Sequence, residues 1–297
     1  MFVVICRYVT SQQLRWIEQS RPLLAGVVLF VDDDLASIVS GCDGTLRYKL
    51  RLIRVGIRPL LRLNKMLDAV WVSTSELSRR FERPGHVPLV VAPFPEMFQP
   101  SLTHNKENSQ KPLKLVYHAT GIHHREHDFL RPIVMRAMEQ HTSLHFEVIA
   151  DGKLAEEWQK LDLPKDRFKL RSGLSWPDYV SFTATEPADI ALVPLLDSRT
   201  NNCRSDTKRI DVARMKAAAI FSKSETFDRC ATDGELHVEN TPDAWLSAID
   251  ILVKDQNRRT TARNATLGSL EKMRQMATPH FPLEFFESRK KNQLKGQ

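Results

Sequence analysis

Apolar residues along the chain recur in short runs that alternate with amphipathic stretches. FVVICRY (2–8), GVVLFVDDD (26–34), AVWVST (69–74) and VPLVVAPF (87–94) are rich in β-branched residues and predict strands. The second is a continuous apolar run closed by acids, the look of a buried parallel strand. Helical spacing occurs between them at 11–20, 44–67 and 75–81, with a serine cap candidate at the start of the last. Pro59 should break or kink the middle one at Arg58. Residues 96–112 are polar and bounded by prolines, which reads as a linker. The alternation then restarts. Strands are predicted at 113–119, 144–150, 166–171, 188–195, 220–224 and 235–240, and helices at 127–141, 155–161, 176–184, 205–219, 241–255 and about 257–275. Repeated strand–helix units imply parallel sheets covered by helices. Two series therefore predict two Rossmann-like α/β domains facing across a cleft: 1–95 and 113–275, joined by 96–112 and followed by a tail, 276–297. Ligands of such sheets bind at the carboxyl ends of the strands, so the cleft is the expected site.

Composition narrows the class. Hydrophobic residues make up 42% of the chain and charged residues 27%, which excludes disorder over its whole length. No run of 18 apolar residues is present, so no membrane-spanning helix is expected. The N-terminus has no basic region ahead of its apolar stretch and reads as a strand, not a signal peptide. Four cysteines, Cys6, Cys42, Cys203 and Cys230, lie too far apart for a zinc ribbon, and a cytoplasmic location with free thiols follows. The net charge is +7, from 43 basic and 36 acidic residues. All of it can be placed in residues 44–67, which hold seven Lys and Arg and no acid. A diffuse nucleic-acid surface would look different. A cationic stripe beside apolar residues suits an anionic membrane surface; a packed helix with a wet basic edge is the plainer reading.

The chemistry concentrates in 188–227. A buried strand ends at Pro194, a polar loop follows, and a helix opens at Ser205–Asp206–Thr207–Lys208. Free backbone N–H groups at a helix start suit a diphosphate, Lys208 adds a charge, and Asp211 one turn on suits ribose hydroxyls. A capped surface helix would carry the same residues. His118, His123, His124 and His127 form a second group, and residues 123–127 spell H-x-x-E-H, an inverted zinc-peptidase motif. Asp32, Asp33 and Asp34 suggest either a metal-binding D-x-D or a feature that ends a strand and caps the next helix. Glu225 is a weaker candidate for a donor-side contact, or a turn residue.

The order strand, polar loop, S-x-x-K-x-x-D, Ala-rich helix and short strand resembles the C-terminal domain of GT-B glycosyltransferases, in their retaining bacterial branch (family 1 or 4). VVLFVDDDLASI (27–38), LDAVWVSTSELSRRF (67–81), LVYHATGIHHREHDFLRPIV (115–134) and ENTPDAWLSAIDILVKDQNRR (239–259) resemble further segments of that branch, in the same order. The resemblance implies transfer of a sugar from a nucleoside-diphosphate-sugar to an acceptor hydroxyl, with retention and in glycan or polysaccharide assembly. The leaving diphosphate would be stabilised by cations and helix N-termini, with no metal and no cofactor. It makes Lys208 the diphosphate-binding lysine and puts Asp211 where the family has a ribose-binding Glu. Ser205, Thr207, Thr120 and Gly121 join them around the donor, and His123 and Arg125 contact its diphosphate. The implied partners are the donor and a glycan or lipid-linked acceptor; the charge pattern of 44–67 adds an anionic membrane surface, at the inner face. The chain departs from the family where a second Glu is expected, since Cys203 and Arg204 lie there. The family's first strand and Gly-rich loop are also missing, so the N-terminal domain is expected to be incomplete. These departures make a non-catalytic GT-B-like binding module the alternative, ahead of a GT-B-fold epimerase and a zinc hydrolase.

Overall fold

The structure is a computed structural model that describes all residues except 42–43, 85, 93, 96–111, 120–122 and 278–297. The chain divides into two compact units. Met1–Phe94 and Ser198–Ser205 belong to the first, and Pro95–Asp197 and Asp206–Gln275 to the second.

In the first unit β1 (Phe2–Cys6), β2 (Gly26–Val31), β3 (Ala69–Val72) and β4 (Leu89–Val90) form a parallel sheet in sequential order. The continuous apolar run at 26–31 becomes β2, whose Val27, Val28, Leu29 and Val31 are buried. Helices α1 (Ser11–Ser20), α2 (Leu35–Ser40), α3 (Leu46–Leu52), α4 (Leu60–Leu63) and α5 (Ser75–Phe81) surround it. Leu14 and Ile17 of α1, Leu63 of α4 and Leu77 of α5 share one core with Ile5, Val27, Leu29 and Val72. Each helix start has a local cause. Thr10 and Gln13 make a capping box on α1, Asp34 caps α2, Thr45 caps α3, and Thr74 rather than a serine caps α5.

The basic segment is interrupted at Pro59 as expected: α3 ends at Leu52, and Arg58 and Pro59 form a turn ahead of α4. A π-turn, Ile53–Ile57, joins α3 towards α4, and the Arg58 N–H donates to the Ile53 carbonyl at 2.8 Å. Proline lacks the N–H that would bond the carbonyl four residues back. Here that carbonyl, on Val55, accepts the Val9 N–H at 3.0 Å, so the lost bond is replaced from outside the helix. Leu52, Gly56, Pro59 and Leu63, spaced four, three and four residues apart, are buried on one side.

In the second unit β5 (Leu113–His118), β6 (Leu144–Ile149), β7 (Phe168–Arg171), β8 (Ile190–Val193), β9 (Ala218–Ser222) and β10 (Leu236–Val238) form a parallel sheet ordered β10-β9-β8-β5-β6-β7. This is the doubly wound order, reversing direction between β5 and β8. Helices α6 (His124–Gln140), α7 (Gly152–Gln159), α8 (Trp176–Thr185), α9 (Lys208–Arg214), α10 (Glu225–Asp228), α11 (Pro242–Lys254) and α12 (Gln256–Met276) complete it. One core gathers Leu115, Tyr117, Phe146 and Val148 with Leu130 and Ile133 of α6, Trp158 of α7 and Trp245 of α11. A smaller one gathers Val116, Ala191, Val193, Ala219 and Phe221 with Val212 of α9.

The helix expected over 205–219 is shorter than its alanines suggested. After Arg214 the chain turns through Lys216 in the left-handed region, φ 58°, and Ala218 already belongs to β9. Ala218 and Ala219 are fully buried between β8 and β10, where packing overrides their helix preference. Neither Ser205 nor Asp206 caps α9; Thr207 holds the cap position without a side-chain bond.

Candidate functional site

The reversal between β5 and β8 opens a crevice at the carboxyl ends of these strands. His118 ends β5, and Lys208 opens α9 after the loop that leaves β8. The Lys208 ammonium donates to the His118 carbonyl at 3.1 Å and lies 3.4 Å from Asp211 Oδ2. Its side chain is 40% exposed, so the charge is both anchored and open to a ligand. The other Asp211 oxygen accepts Arg214 Nη1 at 3.1 Å. Each oxygen thus faces one cation and keeps capacity for a further donor.

The same crevice is stitched from its other side. Glu126, buried in the first turn of α6, accepts the Leu196 N–H at 3.3 Å and lies 3.5 Å from His123 Nδ1. Burial alone would raise this carboxyl, but the bond from His123 and that imidazole's charge hold it down at about 2. The N-terminus of α6 is thereby tied to the loop after β8.

Behind His118 a group of cations surrounds one buried carboxylate. Glu147, in the middle of β6, meets His118 Nε2 at 3.3 Å, Lys114 Nζ at 3.1 Å, Lys169 Nζ at 3.5 Å and Arg171 Nη2 at 3.3 Å. Burial opposes its ionisation, yet the His118 hydrogen bond and the Lys114 charge hold it at about 2. Burial in turn lowers His118, against the pull of Glu147, which favours a neutral ring with its proton on Nε2. The Arg171 guanidinium stacks 4.1 Å from the Phe182 ring of α8. This group fixes the end of β5 and so the carbonyl that Lys208 grips. Two buried polar atoms beside it, His118 Nδ1 and the Tyr179 hydroxyl, have no hydrogen-bond partner among the described residues; their rings lie 5.9 Å apart. Each such orphan costs about 1–3 kcal/mol, which a bound polar group would recover.

The sequence-predicted residues separate on this geometry. Lys208 and Asp211 come together, and His123 stands at the cap of α6 against Glu126. Arg125 is exposed and makes no ion pair among the described residues. Thr207 caps α9, whereas Ser205 belongs to the first unit. Thr120 and Gly121 lie outside the described residues. Glu225 opens the short α10, with Ser224 as its cap. The aspartate triplet is engaged internally: Asp32 pairs with Arg7, Asp33 with Arg7 and Arg204, and Asp34 with Arg80 while capping α2. Sequence reading missed Glu147 and its cations. The available signal was charges set in apolar strands, Lys114 in β5, Glu147 in β6 and Lys169 and Arg171 in β7; the register puts Glu147 beside Lys169.

The H-x-x-E-H match does not present its histidines together. His127 faces the core, where its Nδ1 accepts Trp158 Nε1–H at 2.9 Å and its ring meets Tyr117 edge-on. Among the described residues no group of three or more His, Cys, Asp or Glu is placed to hold a metal ion. Burial, then the His123 charge, lowers His127 to about 4. The unfolded chain therefore binds this proton more tightly than the folded one. Stability from this residue is complete above about pH 6.5 and declines as pH falls toward 4. Urea unfolding at pH 5 should show about 2 kcal/mol less stability than at pH 7.5, and His127→Gln should flatten most of that difference. A wild-type value constant over this range would contradict the assignment.

No family model matches the chain, and no curated protein matches its sequence. Solved structures do share its fold. The pneumococcal O-GlcNAc transferase GtfA, solved with UDP and GlcNAc, superimposes over 98% of this chain with a TM-score of 0.56 at 15% identity. The chain spans 56% of the GtfA chain. Sucrose-phosphate synthase of Thermosynechococcus elongatus matches over 99% of this chain and 73% of its own, with a TM-score of 0.57 at 13% identity. HepE of Anabaena, solved with UDP and glucose, matches over 99% and 78%, with a TM-score of 0.56 at 12% identity. These are GT-B glycosyltransferases, and the two Rossmann-like parallel-sheet units of this chain have the GT-B-like fold.

Proposed function

We propose that the chain transfers a sugar from a nucleoside-diphosphate-sugar to an acceptor hydroxyl, and that the donor diphosphate binds at the β5–β8 crevice of the second unit. The observation that carries this reading is the half-exposed Lys208 ammonium held at the topological switch point. The bond from the anomeric carbon to the diphosphate oxygen breaks, the acceptor oxygen takes its place, and the acceptor's proton leaves with the diphosphate. The departing charge is then met by Lys208, with His123 and Arg125 contributing as the resemblance implies. Asp211 would meet the ribose hydroxyls, once Lys208 turns from it toward phosphate. Ser205, Thr207, Thr120 and Gly121 complete the proposed donor set. The reading includes retention of configuration, independence of metal and of any cofactor, and a role in glycan or polysaccharide assembly. The neighbours solved with UDP support a nucleotide-sugar donor, and the orphaned His118 and Tyr179 atoms support a polar ligand here. A lipid-linked acceptor would bring the chain to the inner, cytoplasmic face of a membrane.

Incubation of the purified chain with UDP-, GDP- and ADP-sugars, with and without glycan acceptors, tests the activity. Release of the nucleoside diphosphate from one donor, faster with acceptor, is expected. Binding without release would assign the chain as a non-catalytic module instead.

A further inference from the structure

No helix among the described residues is long and apolar enough to cross a membrane. The face of residues 46–65 that turns away from the core nevertheless carries two features that water alone does not explain. Arg47, Arg51, Arg54, Arg58 and Lys65 are exposed, and none makes an ion pair or hydrogen bond among the described residues. Only Arg62 on this face is matched, by Glu18 of α1. Among these cations stand three bare leucines, Leu46 at 74% exposure, Leu50 at 58% and Leu61 at 80%. We propose that this face docks on the surface of an anionic lipid bilayer, its cations on headgroup phosphates and its leucines in the headgroup–acyl boundary.

The fold places both sets on one side. Leu52, Gly56, Pro59 and Leu63 fill the inward side, whereas positions 46, 47, 50, 51, 54, 58, 61, 62 and 65 are exposed, on the side turned to solvent. The helix therefore lies along a surface and does not enter one end-on. Nucleic acid would use the cations but leave the leucines in water, whereas a bilayer takes both. Local charge agrees, since the segment 44–67 contains no acid to repel anionic headgroups. The docking holds whether or not the chain transfers sugar.

Sedimentation of the full chain with vesicles of phosphatidylcholine, with and without phosphatidylglycerol, tests it. Binding is expected only to the anionic vesicles and should weaken with salt. Each cation near such a surface is worth about fivefold in affinity, so Arg47→Glu, Arg51→Glu and Arg54→Glu together should lower it at least about 100-fold. Leu46→Ser, Leu50→Ser and Leu61→Ser together should lower it by roughly tenfold and remove what survives at high salt. Both variants change exposed side chains only, so far-ultraviolet circular dichroism and nucleotide affinity should stay at wild-type values. Equal binding to neutral vesicles, or charge reversal without effect, would overturn the proposal. So would leucine variants that bind like wild type, or binding of RNA in place of vesicles.

Discussion

Arg209→Ala should cost the second unit about 3–5 kcal/mol of stability, among the largest effects of any single change in the chain. Arg209 is fully buried at the start of α9. Its guanidinium donates to both carboxylate oxygens of Glu235, at 2.9 and 2.8 Å, to Asp206, and to the Phe227 carbonyl at 2.6 Å. The Phe221 ring lies 4.9 Å from its centre. Glu235 shows what the pairing achieves. Burial would raise it, but hydrogen bonds from His237 and then Arg209 hold it at about 2. Asp206 shows the opposing term, because burial raises it despite the Arg209 charge. Removing the guanidinium leaves the buried carboxylates of Asp206 and Glu235 without the cation that pairs with both. Chemical unfolding should register the loss at pH 7, and lowering the pH should shrink the difference as Asp206 and Glu235 take up protons. A loss below about 1 kcal/mol would mean that the site relaxes enough to admit water. The network also fixes the first turn of α9 and with it the neighbouring Lys208.

Much of this was legible in the sequence, and the gaps have physical causes. The strand–helix alternation came from periodicity, which burial enforces directly; the linker expected over 96–112 lies almost wholly outside the described residues. The continuous apolar run at 26–31 could only be a strand covered on both faces, and β2 is that strand. Lys208 and Asp211 were singled out because a polar loop and a helix start follow a buried strand, and the structure sets the two side chains 3.4 Å apart. Pro59 marked the interruption at Arg58, but its remedy was not legible: the Val55 carbonyl finds the Val9 N–H, a partner 46 residues away in the chain. Ala217–Ala219 misled because helix propensity is weak beside the packing of a central strand. Arg209 and Glu147 were invisible as anchors. Both read as ordinary surface charges in their own segments, and only the sheet register and the return of the chain at 235 bring their partners to them.

The second large effect concerns Lys208. Its ammonium is positioned by the His118 carbonyl and Asp211, and both contacts survive only while no stronger partner is present. A diphosphate is such a partner, carrying full negative charge to a half-exposed cation. A hydrogen bond between charged groups is worth about 1.5–3 kcal/mol, or about ten- to a hundredfold in affinity. Lys208→Met keeps the aliphatic stem and removes only the charge, so it separates binding from packing. Loss of the single bond to the His118 carbonyl should change stability by about 1 kcal/mol or less. Low salt should enlarge the affinity difference and high salt should reduce it, because the site is open to ions.

Isothermal titration of UDP, GDP and ADP into the wild-type chain and into Lys208→Met tests the central assignment most directly. At least one diphosphate should bind the wild type and bind the variant about ten- to a hundredfold more weakly, with both chains equally folded. Binding of none of the three to the wild type, or equal affinity for both chains, would contradict a diphosphate site at the β5–β8 crevice.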